Sequence, residues 1–249
     1  MTAARAGQQD LAPGHPGPWI LAIDTGTSRI VVAAGRPDGS TIRARAWPAG
    51  YRHGEQLLAG IEQLLRETAL RRADLAGVVV GTGPGAFTGL RVGLATAKTL
   101  AHAMDLPIVG VGTATALMRA AAELANVPSD VARPDPGPAM AVLLPAGPHD
   151  RVLVAGADAP QLLPGGLDPE LPAATRLIAV DLDDRAPAAA VELGRLAAER
   201  LGEALVQLGA GRLQSGAGDD VERLVPEYVT LPRGVRASVG EIAWSHDRR

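Results

Sequence analysis

The sequence predicts an α/β protein with mixed sheets. Three short apolar runs separated by turn residues open it, the hydrophobic spacing then shifts from strand-like to about 3.6, and from there helical and strand-like segments alternate. A chain of 249 residues with 47% hydrophobic and 20% charged residues is long enough for one large domain or two lobes.

The elements follow in order. Trp19–Asp24 is an apolar run ending in an acid, followed by the turn Thr25-Gly26-Thr27. Ser28–Gly35 reads as a second strand, and the turn Pro37-Asp38-Gly39 leads into a third at Thr41–Trp47. Leu57, Leu58, Ile61, Leu64 and Leu65 then share a helical face, which predicts an amphipathic helix from Gly54 to Leu70. Gly77–Gly81 is a buried strand, 82–86 a loop, Phe87–Met104 a second helix and Pro107–Val111 a strand. Thr113–Asn126 is a third helix with Thr113 as its N-cap. Residues 127–138 carry four prolines and read as a loop. Ala139–Leu144, Val152–Val154 and Leu177–Val180 are strand-like, and one long helix is expected from Pro187 to Leu208. No internal repeat of fixed period is visible.

Composition excludes several classes of function. The formal net charge is -3, and Phe, Trp and Tyr make up 2% of the residues, so neither an electrostatic footprint nor a stacking platform for nucleic acid is present. The absence of cysteine removes disulfides, thiolate nucleophiles and cysteine zinc sites. Residues 1–18 lack an apolar stretch of signal-peptide length, and no apolar run approaches the ~20 residues of a membrane span, so a cytoplasmic protein without membrane contact is expected.

The sharpest motif is the run Gly81-Thr-Gly83-Pro84-Gly85-Ala86-Phe87-Thr88-Gly89-Leu90-Arg91-Val-Gly93 between a strand and a helix, a junction suited to an anion. A Walker loop would need Lys-Ser or Lys-Thr after the glycines, and Lys98-Thr99 sits too late in the helix. A dinucleotide fingerprint would need an acid at the end of the next strand, which instead runs Gly110-Val111-Gly112. The plainer reading is that the glycines permit a tight turn and close helix packing. Gly89, Gly93, Ala97 and Ala101 form a row of small residues four apart, on a helix apolar nearly all round. Such a helix is buried on more than one side, against its own domain or against another chain.

Several segments together carry a resemblance. ILAIDTGTSRIVVAA (20–34), HGEQLL (53–58), the stretch from Gly81 to Leu117 and PEYV (226–229) resemble the TsaB family, formerly YeaZ, in order and spacing, mainly over residues 19–125. The resemblance implies an actin/Hsp70/sugar-kinase (ASKHA) fold of two ribonuclease-H-like lobes, the second reduced. It divides the chain into a tail (1–18), a first lobe with partner-binding helices (19–110), a second lobe (111–231) and a C-terminal tail (232–249). Where many relatives carry an Asp-Ala-Arg segment in the second lobe, this chain has Leu144-Pro145-Ala146-Gly147-Pro148-His149-Asp150.

The role implied is that of a non-catalytic subunit pairing with its paralogue TsaD, which transfers threonylcarbamoyl to the adenosine beside the anticodon of tRNA. The ATPase TsaE would join them, tRNA would be met only through the complex, and a homodimer of the isolated protein is left open. The partner interface implied comprises His53, Glu55, Leu58, Ile61, Thr88, Gly89, Leu90, Arg91, Gly93, Leu94 and Ala97. Asp24, Thr25, Gly26 and Thr27, with Gly83 and Gly85, resemble a phosphate-binding loop, which leaves weak ATP or ADP binding open although no intrinsic cofactor is implied. The paralogue's two metal-binding histidines, four residues apart, fall on Thr113 and Leu117 here, and leucine cannot ligate a metal. His15, His53, His102, His149 and His246 offer no pair at metal spacing. No catalytic residue or metal site is expected, and the protease label once given to this superfamily has no chemical support in the chain. The rival readings are an actin-fold small-molecule kinase and a stand-alone tRNA binder; charge and aromatic content oppose the second.

Overall fold

Strand β1 (Trp19–Asp24) is buried at every residue, and it organises the first sheet. Trp19, Leu21 and Ile23 project to one side and Ile20 and Ala22 to the other, so each face needs its own apolar cover. β2 (Arg29–Gly35) and β3 (Thr41–Pro48) continue from it as an antiparallel meander. β4 (Leu75–Gly81) joins the other side of β1 in parallel, and β5 (Ile108–Val111) extends β4 in parallel, giving the order β3-β2-β1-β4-β5. The computed structural model describes residues 18–50, 53–124 and 139–229. The loop expected at 127–138, the tail expected at 1–18 up to residue 17, and the tail expected at 232–249 lie outside these residues.

Helices α1 (His53–Glu67) and α2 (Phe87–Ala103) cover one face of this sheet. Leu57, Ile61, Leu64 and Leu65 from α1 and Leu94, Ala97 and Ala101 from α2 close a core over Leu21, Ile23, Val32, Val78 and Val80. The opposite face is covered by α3 (Thr113–Leu124) and by α5 (Leu201–Gln214). α5 comes from the C-terminal half of the chain yet runs beneath β1 and β2, where Gly202 approaches Val31, Ala33 and Ala44.

The second sheet repeats the beginning of the first. β6 (Met140–Pro145), β7 (Arg151–Ala155) and β8 (Gln161–Leu163) form an antiparallel meander, and β9 (Arg176–Ala179) pairs in parallel with β6. The order β8-β7-β6-β9 matches β3-β2-β1-β4, without a fifth strand among the described residues. This duplication, with its shorter second copy, agrees with the two-lobed arrangement that the resemblance implies. α4 (Ala188–Glu199) packs on β9, with Gly194 directly over Ala179.

Three local expectations are corrected. The single helix expected from Pro187 to Leu208 is two helices meeting at Arg200 (φ -101°, ψ 5°), because α4 must follow β9 while α5 must cross to the first sheet. β8 has no strand signal in sequence, being only three residues long. Thr113 opens α3, but its hydroxyl is turned into the core of the loop cluster described next and does not cap the helix.

Candidate functional site: a sealed strand-end acid and a two-helix face

β1 delivers Asp24 to the C-terminal edge of the first sheet, where it is 0% exposed. Both of its oxygens are occupied. Oδ1 accepts the Gly26 N–H at 2.8 Å, and Oδ2 accepts the Thr113 hydroxyl at 2.7 Å. The Thr113 oxygen in turn accepts the Gly83 N–H at 3.1 Å, while the Thr113 N–H donates to the Gly83 carbonyl at 2.7 Å. Burial raises the Asp24 carboxyl from 3.8 to about 6, against the opposing pull of the Thr113 and Gly26 hydrogen bonds and with added repulsion from Asp181.

The glycine-rich loop folds onto the same turn. Ala86 N–H donates to the Gly26 carbonyl at 2.7 Å, and a Cβ on Gly85 would collide with that carbonyl. A Cβ on Gly81 would strike the Asp24 carboxylate, and one on Gly93 would strike the Thr25 hydroxyl, which donates to the Gly89 carbonyl at 2.7 Å. Glycine is needed at these positions because strand, loop and helix approach the Asp24 and Thr25 side chains and the Gly26 backbone too closely for a side chain. Thr25, Gly26 and Thr27 are buried with Asp24, and each carboxylate oxygen already accepts one hydrogen bond from the chain itself.

The residues expected at a partner interface divide between interior and surface. Ile61, Leu90, Leu94 and Ala97 are 5%, 1%, 5% and 0% exposed, and Gly89 and Gly93 are buried with them. The small-residue row therefore packs on the protein's own first sheet and the Thr25 turn, which corrects the expectation that a partner meets it. Leu58, expected on the buried face of α1, is instead 54% exposed, and Glu55, Thr88 and Arg91 are also exposed. His53 opens α1, its side chain lying outside the described ones.

Two features escaped the sequence reading. Residues 217–229 run from α5 back along the first lobe: Asp219 caps the edge of β5 by accepting the Gly110 N–H at 2.7 Å, and Lys98 donates to the carbonyls of Glu222 and Leu224 at 3.3 and 3.1 Å. Tyr228 stacks on Phe87 with ring centroids 4.8 Å apart, and Arg91 lies over the same ring. The second feature is Asp181, whose carboxylate reaches the first lobe at Ser28. Its signal was available: Leu-Ile-Ala-Val-Asp at 177–181 repeats the apolar-strand-then-acid pattern of Ile-Leu-Ala-Ile-Asp at 20–24.

No helix among the described residues is long and apolar enough to cross a membrane. Comparison with known proteins extends the picture. The family described as TsaD, tRNA N6-adenosine threonylcarbamoyltransferase, matches over residues 48–168. An uncharacterized protein of Mycobacterium tuberculosis is 41% identical over 93 residues, 37% of this chain and 44% of that protein. The tRNA threonylcarbamoyladenosine biosynthesis proteins TsaB of Bacillus subtilis and Escherichia coli are 35% and 36% identical over 94 residues, 38% of this chain and 41% and 40% of theirs. The matched region thus spans less than half the length of each of these relatives. In three dimensions, YeaZ from Pseudomonas aeruginosa superposes with a TM-score of 0.63 at 19% identity, covering 85% of this chain and 100% of that one, which establishes a shared fold. Over part of its length the chain is thus similar in sequence to TsaB proteins and to the TsaD family, and across most of the described residues it shares the fold of YeaZ.

Proposed function

We propose that the protein is a non-catalytic subunit in tRNA threonylcarbamoyladenosine biosynthesis, pairing with TsaD and acting on tRNA only through that partner. The pathway is that named for the TsaB relatives, and the family matched over residues 48–168 is TsaD itself. The observation that carries the non-catalytic reading is the Asp24 cluster. A carboxylate that would organise Mg²⁺ in an actin-like enzyme is fully buried here and committed to the chain's own N–H and O–H donors. Thr113 and Leu117, which stand where the resemblance puts the paralogue's metal ligands, are both 0% exposed.

The partner surface in this reading is the solvent face of α1 and the N-terminal part of α2, centred on Leu58 with Glu55, Thr88 and Arg91; TsaE joins the pair, and the isolated protein self-associates through the same face. Co-expression with TsaD followed by size-exclusion chromatography tests it: co-elution as a stoichiometric complex is expected, and separate elution overturns the pairing. Depleting the protein in its host should lower threonylcarbamoyladenosine in tRNA, read by nucleoside mass spectrometry, and unchanged levels overturn the pathway assignment.

A further inference from the structure

The turn after β1 ends in a pair of donors that already hold an oxyanion. The Ser28 N–H lies 2.6 Å from Asp181 Oδ2, and the Ser28 hydroxyl lies 2.5 Å from Asp181 Oδ1, so one carboxylate is held across both oxygens by two donors of one residue. The two residues are 153 positions apart and belong to different sheets: Ser28 links β1 to β2, and Asp181 follows β9. Short charge-assisted hydrogen bonds of this kind are the way a protein grips a phosphate or sulfate oxygen.

The segment that carries Asp181 is rigidly mounted. Arg151 is 5% exposed, and its guanidinium donates to the carbonyls of Arg185 and Leu167. Arg185 reaches from the same segment to the β6–β7 turn, donating to the carbonyls of Gly147 and Pro148 at 3.0 Å each. That turn is the second sheet's counterpart of the turn holding Ser28, since β6–β7 repeats β1–β2. Residues 181–185 therefore engage both equivalent turns, with a carboxylate at one and a guanidinium at the other. Asp181 also adopts φ +58°, a left-handed conformation that a non-glycine side chain rarely takes without a compensating contact.

We propose that Asp181 is an internal oxyanion ligand: its carboxylate fills a two-donor anion site at Ser28, ties the two lobes together without a bound molecule, and keeps phosphate-type anions out of that site. The inference stands on these contacts alone and holds whether or not the protein pairs with TsaD. In Asp181→Gly the left-handed backbone is free of strain and the donors are vacated. This variant should melt roughly 3–6 °C below the parent, as expected for two lost charge-assisted hydrogen bonds in a chain of this size. Inorganic phosphate, compared with chloride at equal ionic strength, should then restore roughly half or more of that loss in the variant by mass action and leave the parent unmoved. Asp181→Asn keeps the left-handed backbone and one acceptor and removes only the charge; it should lose part of the melting temperature and gain nothing from phosphate, and it carries the test alone if the glycine variant does not fold. A parent-like melting temperature in both variants, or an equal phosphate response in parent and Asp181→Gly, overturns the proposal.

Discussion

Thr113 donates its hydroxyl proton to Asp24 at 2.7 Å, joining the start of α3 to the end of β1, and neither side chain reaches solvent. Burial lifts the Asp24 carboxyl from 3.8 to about 6, although the Thr113 and Gly26 hydrogen bonds pull it down. A folded-state value above the unfolded one means that the native protein holds this proton more tightly. The group therefore favours folding most below about pH 4, and its support is lost as the pH rises through about 6. Relative to acid pH, ionising this buried carboxylate lowers the folding stability at neutral pH by about 3 kcal/mol. Asp24→Asn removes this titration while keeping an acceptor for Gly26. Relative to the variant, the parent should lose stability as the pH rises from about 4 to about 6 in denaturant melts. A stability difference that does not change with pH would show that Asp24 titrates normally.

The glycine row makes a second, purely steric prediction. Gly93→Ala brings a methyl group into the Thr25 hydroxyl, which cannot swing away without releasing the Gly89 carbonyl. Ala97→Gln forces a longer, polar side chain into a fully buried position. Both should destabilise the isolated protein, the first by about 1–3 kcal/mol and the second by about 2–4 kcal/mol. Thermal melts of the purified variants check this. Parent-like stability for Ala97→Gln would mean that α2 does not pack as described.

Strand and helix order was legible because β1, β4 and α1 carry strong apolar periodicity bounded by turn residues. The close packing at Gly81, Gly85 and Gly93 was also foreseeable from the glycine spacing, though not the identity of what they pack against. Thr25 and Gly26 lie more than fifty residues upstream of that loop, and only the tertiary fold brings them together. Leu58 departs from the apolar stripe of α1 because the core accepts Leu57, Ile61, Leu64 and Leu65 and leaves Leu58 outside. The nearest glycine to the break at Arg200 is Gly202, which lies within α5 and packs on the first sheet; the break arises because two helices serve different sheets. Asp181 had the right local pattern, but its partner Ser28 could not be named without the fold.

Asp219 predicts a separable effect on the edge of the first sheet. It accepts the Gly110 N–H and pairs with Arg212 at 2.7 Å, and its own N–H donates to the Ile108 carbonyl. Asp219→Ala leaves the Gly110 N–H without its acceptor, at a cost of about 1–3 kcal/mol. Hydrogen exchange should rise at Gly110 and across 217–224, with the β1 and β4 amides protected as before. Unaltered exchange at Gly110 would show that this carboxylate does not hold the segment.

The last prediction separates partner binding from folding. Leu58 is 54% exposed on α1, a large apolar side chain that contributes little to the protein's own core. Leu58→Asp should therefore change the stability of the isolated protein by no more than about 0.5 kcal/mol, as for other surface substitutions. If the solvent face of α1 docks on TsaD, the same change buries an unpaired charge in the contact. Central contacts of this kind cost about 2 kcal/mol or more, a loss of roughly 30-fold in affinity. Ala97→Gln serves as the contrast, because its failure to bind would follow from an unfolded α2 and not from the surface. The decisive measurement is a titration of TsaD against Leu58→Asp, with the variant's melting temperature recorded in parallel. A parent-like melt with weakened binding supports the α1 face. A parent-like melt with unaltered binding moves the interface elsewhere on the protein.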